Sequence, residues 1–209
     1  KENKIRVIYN PVEINQINCL CGEDINDFKK KDNERLIVSI GRLVEQKDYP
    51  TLLKAFSIVS TKVNARLLIL GKGPLEKNLK DLCKDLRIDD KVVFLGFKKN
   101  PYKYLKISDV FVLSSKWEGF GHVIVEAMAT GTPVISTNCN SGPSEIIGDN
   151  KYGILVPVGD YNTMAKKIVN LLNDKESLRK YSEQGLIRAK SYDAKNITKE
   201  YENTFLELI

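Results

Sequence analysis

Residue types that build metal centres and disulfide frameworks are scarce in this sequence. Its 209 residues include one histidine and four cysteines, and no two cysteines form a Cys-x-x-Cys pair. A structural zinc site or a disulfide-linked scaffold is therefore not expected. Reduced thiols are the simplest interpretation, and they are typical of the cytoplasm, where we expect the protein to reside.

Long apolar runs are also missing, and the charge is distributed without a block of one sign. No run approaches the roughly 18 residues that span a bilayer, and no signal peptide precedes the first predicted strand. The net charge is +6, but no basic segment is interleaved with aromatic residues, so a solvated surface is favoured over nucleic-acid binding. Because the chain begins with Lys1 rather than methionine, we expect a processed chain or a part of a longer protein.

Short apolar segments alternate with helical patterns along the chain. Helices are predicted from Pro50, from Leu75, over 102–107, after Gly121, around 144–147, and over 161–173, 175–190 and 194–208, whereas the polar segment 15–33 is predicted to be a loop or a short excursion. The predicted strands span residues 36–40, 66–70, 92–95, 110–113, 133–136 and 154–156. Continuous apolar strands joined by helices predict an α/β fold whose parallel sheet is covered by helices on both faces.

Ligands of such sheets bind beyond the carboxyl ends of the strands, and two cations follow the first strand there. Arg42 can bind phosphate oxygens through two parallel N–H groups, and Lys47 adds a mobile charge. Both are also ordinary candidates for solvated loop residues. Gly71-Lys72-Gly73-Pro74 follows the second strand and is interpreted as a turn near the site, since it lacks a nucleotide-loop pattern.

A glycine loop between two acids carries the strongest functional signal. Glu118 precedes Gly119 and Gly121, and an apolar helix then carries Glu126. Two carboxylates can accept hydrogen bonds from hydroxyl groups at the two ends of a ligand, and the amides at the helix start can face phosphate groups. This arrangement suits a sugar joined to a nucleoside diphosphate.

Each residue of this loop also has a structural interpretation. Glu118 could cap the helix or lie in its first turn instead of binding a sugar. Glu126 sits among apolar residues and needs a partner, either a ribose diol, which we favour, or a neighbouring lysine or arginine. His122 is more typical of a structural residue than of a general base, and Trp117 and Phe120 could stack on a ligand or pack in the core.

Several motifs appear in the order that one enzyme family shows. They are Ser39-Ile40-Gly41-Arg42-Leu43, Gln46-Lys47, Gly71-Lys72-Gly73-Pro74, Val93-Phe94-Leu95-Gly96-Phe97, Asp109 to Ser115, and Glu118 to Ile135. Over residues 7–190 the sequence resembles the carboxyl-terminal donor-binding domain of retaining glycosyltransferases of the GT-B fold, family four. The resemblance implies a Rossmann-like domain over 1–190, a helix over 191–209 that packs toward an absent amino-terminal acceptor domain, and an inactive isolated fragment.

The resemblance also implies a role for each matching residue. Arg42 and Lys47 would clamp the donor diphosphate and act with Glu118 in catalysis, while Glu126 would bind the ribose. The remaining donor contacts would be Gly41, Gly71, Phe97, Lys98, Gly119, Phe120, Gly121, His122 and Val123, with Phe97 and Lys98 near the base. The segment Ser141 to Glu145 points toward a uridine nucleotide.

The implied enzyme transfers a hexose or an N-acetylhexosamine from a UDP-sugar to a glycan or lipid-linked acceptor, as in polysaccharide or lipopolysaccharide biosynthesis. It would need no metal or other cofactor, would bind no nucleic acid, and as a full-length enzyme could associate with the inner face of the cytoplasmic membrane. Two departures leave the donor sugar open: Asp48 follows Lys47 where glycine is usual, and His122 replaces an apolar residue or asparagine. A sugar-nucleotide epimerase and a catalytically inactive nucleotide-binding domain stay open as alternatives.

Overall fold

A single parallel sheet forms the centre of the protein. The computed structural model describes residues 5–207, and its sheet has six strands in the order β3-β2-β1-β4-β5-β6. The strands are β1 (Arg35–Ile40), β2 (Ala65–Leu70), β3 (Val92–Gly96), β4 (Val110–Leu113), β5 (Val134–Thr137) and β6 (Ile154–Val156). The strands therefore lie where the apolar segments predict them.

Helices connect the strands and continue after the last one. In the described part of the chain they are α1 (Ile14–Leu20), α2 (Tyr49–Val59), α3 (Glu76–Asp85), α4 (Tyr102–Lys106), α5 (His122–Ala129), α6 (Pro143–Ile147), α7 (Tyr161–Asn173), α8 (Lys175–Lys190) and α9 (Ala194–Leu206), with a 3-10 turn at Glu45–Lys47. Residue 208, the last of the predicted final helix, lies outside the described residues. No described helix is long and apolar enough to cross a bilayer.

Both faces of the sheet are buried. Successive residues of β1 point to opposite faces, so Ile37 packs in one apolar cluster while Leu36 and Val38 pack in the other. The first cluster includes residues of α2, α3 and α7, and the second includes residues of α1, α4, α5 and α6. The prediction of an α/β sheet flanked on both faces is confirmed.

The prediction of a loop over residues 15–33 is wrong in its first part. Residues 14–20 form α1, whose Ile14 and Ile17 are buried in the second apolar cluster. Further along this segment, Lys30 Nζ lies 2.7 Å from the carboxylate of Asp109, which is also bonded to Arg35. Ile25 and Phe28 also pack against this cluster, and Asp27 is ion-paired with Lys98, so several contacts order a segment of mostly polar composition.

The strand order places a crevice at the centre of the carboxyl edge. β1 pairs with β2 on one side and with β4 on the other, so the connections after β1 and β4 lead to opposite sides. Parallel sheets with such a reversal bind ligands in the crevice that opens there. The loops that carry Arg42 and Glu118 follow these two strands.

Candidate functional site

Glycines at the ends of neighbouring strands form the floor of the crevice. The amide of Gly41 donates to the carbonyl of Leu70, and the amide of Gly71 donates to that of Gly96. A Cβ on Gly71 would lie 1.9 Å from the Gly41 carbonyl oxygen, and Gly71 has a φ of +148°. A side chain is therefore excluded at Gly71, and the predicted turn between β2 and α3 is confirmed.

Hydrogen bonds join the loop after β1 to the loop after β4. The carbonyl of Gln46 accepts from the amide of Lys116 at 2.8 Å, and Gln46 Nε2 donates to the carbonyl of Trp117 at 2.9 Å. Ser114 Oγ donates to the carbonyl of Lys47 at 2.7 Å. These contacts bring two segments that are about 70 residues apart in sequence to the same edge.

Lys47 and Glu118 form an ion pair inside the crevice. Lys47 Nζ lies 2.5 Å from Glu118 Oε1, and the two side chains are only 15% and 8% exposed. Ser115 Oγ donates to the same carboxylate oxygen at 2.6 Å. The alternative of Glu118 as a cap is wrong, since Gly121 occupies the N-cap position of α5. Pairing with Lys47 offsets the repulsion that this acid would exert on a phosphate.

Arg42 has no such partner. Its side chain is exposed, and it forms no ion pair with any residue in the described range 5–207. Lys72, which follows Gly71, is exposed as well. Arg42 is therefore available to an anionic ligand, whereas Lys47 is already engaged by Glu118.

Glu126 is a largely buried acid without a cationic partner. It forms no ion pair within the described part of the chain, so a neighbouring lysine or arginine does not neutralise it. Burial raises the pKa of Glu126, and a hydrogen bond with Tyr102 offsets part of that rise. Because its side chain still lines the crevice, hydroxyl groups of a ligand can reach it.

The helix α5 begins inside the same crevice. Gly121 has a φ of +91°, a conformation that favours glycine, and the helix starts at His122. The first amides of a helix have no intrahelical partner, so those of His122 and Val123 can bind an anion. His122 is exposed, and its ring lies 5.1 Å from that of Phe120.

Two adjoining cavities contain all the residues predicted for the donor site. One, of about 600 Å³, is lined by Arg42, Lys47, Glu126 and the segment from Glu118 to Val123. The other, of about 560 Å³, is lined by Gly71, Phe97 and Lys98. They share Ile40, Gly41 and Arg42.

Some lining residues were not found from the sequence. Asn10 and Gln46 line the first cavity, and Lys72 and Pro101 line the second. Gln46 and Lys72 belong to motifs that the sequence singled out. Asn10 lies in the segment before α1, which resembles the start of the family's carboxyl domain but was assigned no contact with a ligand.

The second cavity presents an exposed aromatic ring beside a paired lysine. Phe97 is 72% exposed, and Lys98 is ion-paired with Asp27. Asp27 also accepts from the hydroxyl of Tyr104 at 2.6 Å, and these two bonds hold its pKa below the usual value. A flat apolar ring at a cavity edge can stack on a planar ligand group.

Asp48 lines neither of the two cavities. Its Oδ2 accepts from the hydroxyl of Thr51 at 2.7 Å at the start of α2. Its backbone has a φ of +43°, the left-handed region that glycine adopts most readily. This conformation is consistent with the glycine that the family resemblance implies at this position. Because Asp48 lines neither cavity, its carboxylate does not lie against the place proposed for the diphosphate.

No cluster of three or more His, Cys, Asp or Glu residues that could hold a metal ion occurs among residues 5–207. The groups that line this edge are cations, helix amides and carboxylates around an elongated cleft. Such a cleft can bind an anion next to a group rich in hydroxyls.

Similar proteins include a curated enzyme of known acceptor. The Campylobacter jejuni N-acetylgalactosamine-N,N'-diacetylbacillosaminyl-diphospho-undecaprenol 4-alpha-N-acetylgalactosaminyltransferase is 34% identical over 197 residues, which cover 94% of this chain and 52% of that protein. The chain spans about half the length of the curated relatives it matches.

Solved structures share the fold. TarM of S. aureus, crystallised with UDP, superposes with a TM-score of 0.81 at 26% identity, over 97% of this chain and 41% of that one. HepE of Anabaena, crystallised with UDP-glucose, superposes with a TM-score of 0.81 at 22% identity, over 97% of this chain and 57% of that one. These similarities establish the Rossmann-like domain of a GT-B fold.

The family model described as "Glycosyl transferases group 1" matches residues 22–188, which include every strand of the sheet and both sides of the crevice. The match covers well over half of the chain. The chain therefore belongs to the glycosyl transferases group 1 family.

Proposed function

We propose that this chain is the donor-binding half of a retaining glycosyltransferase that uses a nucleoside diphosphate sugar, with UDP as the nucleotide. One observation carries the proposal: a cation and a largely buried carboxylate, neither of them ion-paired within residues 5–207, line a single cleft with the amides at the start of a helix. These groups complement a diphosphate flanked by hydroxyl-bearing sugars. The UDP found with TarM supports the choice of nucleotide.

Arg42 and the amino end of α5 would bind the diphosphate. A guanidinium can form two parallel hydrogen bonds to phosphate oxygens, and helix-terminal amides add further donors. Lys47 would join them once a ligand phosphate competes with Glu118 for its ammonium group. Glu118 would then be free to accept hydrogen bonds from hydroxyl groups of the transferred sugar.

Glu126 would bind the ribose. One carboxylate can accept hydrogen bonds from both hydroxyls of a diol, and burial strengthens such bonds because water does not compete. Phe97 lies in the adjoining cavity, where it would stack on the base. The donor would thus extend across both cavities, with its diphosphate near the shared Arg42.

In the reaction, the bond between the anomeric carbon and the diphosphate oxygen would break with its electron pair leaving on the diphosphate. An acceptor hydroxyl would attack from the same face, and its proton would pass to the departing phosphate oxygen, so that configuration is retained. Arg42, Lys47 and the amides of α5 would stabilise the negative charge that develops on the diphosphate, without a metal. The acceptor, a glycan or lipid-linked group, would bind outside this chain.

Calorimetric titration with UDP, GDP and ADP, followed by UDP-glucose, UDP-galactose and their N-acetyl forms, tests the proposal. We expect UDP to bind and Glu126→Ala to weaken that binding about tenfold or more, equivalent to about 1.4 kcal/mol. Glu183→Ala, which removes an exposed helical glutamate far along the chain, is the matched control and should bind UDP as the wild type does. Wild-type affinity in Glu126→Ala, or no affinity for any nucleotide, would overturn the proposal.

A further inference from the structure

The ring of Phe120 is anchored in a cluster of aromatic side chains next to the crevice. Its centroid lies 5.9 Å from that of Tyr9, 5.5 Å from that of Tyr192 and 5.1 Å from that of His122. Phe120 is only 9% exposed, although it is one of the residues that line the cleft. Aromatic pairs at such separations attract one another beyond simple burial. The packing of its ring against these three neighbours therefore fixes the position of Phe120.

Phe120 is the only residue of the segment Gly119–Gly121 whose side chain can anchor it. A Cβ on Gly119 would meet no atom within 4 Å, so nothing packs against that position. Two glycines leave the backbone of such a segment with wide conformational freedom. The position of the amides that open α5 thus depends on how Phe120 is held.

The two tyrosines come from segments that are distant in sequence but bonded together. Tyr9 precedes α1, and Tyr192 follows α8. The amide of Val12 donates to the carbonyl of Tyr192 at 2.8 Å, and the amide of Ala194 donates to the carbonyl of Val12 at 3.0 Å. The rings of the two tyrosines meet edge to face at 5.5 Å. They form one rigid support behind Phe120.

The backbone of Phe120 is held as well. Gly142 approaches it so closely that a Cβ there would lie 2.0 Å from the Phe120 carbonyl oxygen. The amide of Gly142 donates to Glu145 Oε1 at 3.3 Å. The Glu145 carboxylate, followed by burial, raises the pKa of Tyr9 above its usual value. The close approach of Gly142 therefore restrains the backbone of Phe120 in addition to its ring.

Packing, rather than hydrogen bonding, accounts for the position of Tyr192. Its hydroxyl is buried and has no hydrogen-bond partner within the described residues. The guanidinium of Arg188 lies 4.9 Å from the ring centroid, in the arrangement of a cation–π contact. A buried hydroxyl without a partner is unfavourable, so the contacts of the ring must outweigh its cost.

We propose that Tyr9 and Tyr192 are positioning residues for the donor loop: their rings hold Phe120, and through it the segment Gly119–Gly121, in the geometry that presents the first amides of α5 to a diphosphate. The identity of the ligand as a diphosphate rests on the proposed function. The ordering of the loop does not, because the packing exists without a ligand. Neither tyrosine lines the cavities themselves.

Hydrogen–deuterium exchange of residues 117–123 and calorimetric titration with UDP test the proposal on the same variants. We expect Tyr9→Ala to raise exchange in this segment about tenfold and to weaken UDP binding by a similar factor. Tyr9→Phe keeps the ring and loses the hydroxyl, so it should leave both within about twofold. Tyr181→Ala, a partly buried tyrosine packed on the opposite apolar cluster, should change neither. Tyr9→Leu serves if Tyr9→Ala does not fold.

Each outcome supports or overturns the proposal. A folded Tyr9→Ala or Tyr9→Leu variant with wild-type exchange at 117–123 would overturn it, and so would increased exchange with unchanged UDP affinity. Increased exchange in Tyr9→Phe would assign the role to the hydroxyl and Glu145 instead of the ring, which also contradicts it. If the wild type binds no UDP, the donor function fails, while the exchange measurement still decides whether the rings order the loop.

Discussion

Single residues of the crevice differ in whether they are already paired. Lys47 and Glu118 neutralise each other, whereas Arg42 is exposed without an ion pair among residues 5–207 and Glu126 is largely buried without one. Unpaired charged groups at a cleft are the ones that a ligand can satisfy.

Replacing Glu126 by glutamine should stabilise the ligand-free protein in a pH-dependent way. Burial raises the pKa of this carboxyl above its ordinary value of 4.5, so the folded state favours the protonated form. That contribution is present below pH 4.5 and is lost as the pH rises through the folded-state pKa, whereas glutamine stays neutral. We expect the free energy of unfolding of Glu126→Gln to exceed that of the wild type increasingly from pH 4.5 upward, until Glu126 is fully ionised.

Urea unfolding at pH values from about 4 to about 8 measures this difference. The exposed Glu183→Gln is the matched control, and its difference from the wild type should stay constant over the series. A constant difference for Glu126→Gln, or one that falls as the pH rises, would contradict the assignment of Glu126 as a desolvated acid.

Removing the charge of Arg42 should weaken the binding of a diphosphate without affecting stability. Hydrogen bonds to charged groups contribute about 1.5–3 kcal/mol, so Arg42→Gln should raise the Kd for UDP by roughly tenfold to a hundredfold. Arg179→Gln makes the same change on an exposed face of α8 and should leave the Kd within about twofold. Both Kd values are measured by calorimetry at one ionic strength. If the two variants raised the Kd equally, the net charge of the protein would explain the effect, and a direct contact of Arg42 with the diphosphate would be contradicted.

The sequence predicts which residues gather at this edge but not how they pair. Strand ends and glycines locate Arg42, Lys47, Glu118 and Glu126, because parallel strands bring their carboxyl ends together. The contact between Lys47 and Glu118 spans 71 positions and depends on the register of two loops. Such a contact leaves no periodic signal in the chain, and the same holds for Asn10.

At the scale of elements, glycines decide how closely the strands and loops approach one another. Gly71 lies against Gly41 with a φ of +148°, whereas Gly119 is surrounded by open space. The sequence shows both as glycines after or near a strand, and no pattern separates a glycine that is sterically required from one that is not. Structure is needed for that distinction, as it is for α1, whose two buried isoleucines are too few to reveal a helix.

Alanine at position 71 should be far more harmful than alanine at position 119. In Gly71→Ala the new methyl group would meet the Gly41 carbonyl oxygen at 1.9 Å, which requires the ends of β1 and β2 to separate. We expect the free energy of unfolding to fall by about 3 kcal/mol or more, because overpacking and backbone strain add. Gly119→Ala should cost less than about 1 kcal/mol. Chemical denaturation of both variants provides the comparison, and similar losses would show that Gly71 and Gly41 do not approach each other so closely in solution.

At the scale of the whole molecule, the strand order forms the crevice that contains the candidate site. The sequence predicts a parallel sheet with helices on both faces, and its apolar runs are long enough to place every strand. The order of the strands, with β1 beside β4, depends on the direction in which each connection crosses the sheet. The apolar pattern does not encode that direction. The chain spans about half the length of the curated relatives it matches.

The central claim is that a nucleoside diphosphate binds in the crevice between β1 and β4. Titrating isotopically labelled protein with UDP, and following backbone amides by NMR, tests it most directly. We predict saturable shifts at Arg42, Gly121, His122 and Val123, with the amides around Arg179 on α8 unchanged as an internal control. Shifts concentrated away from this crevice, or none at millimolar UDP, would contradict the claim.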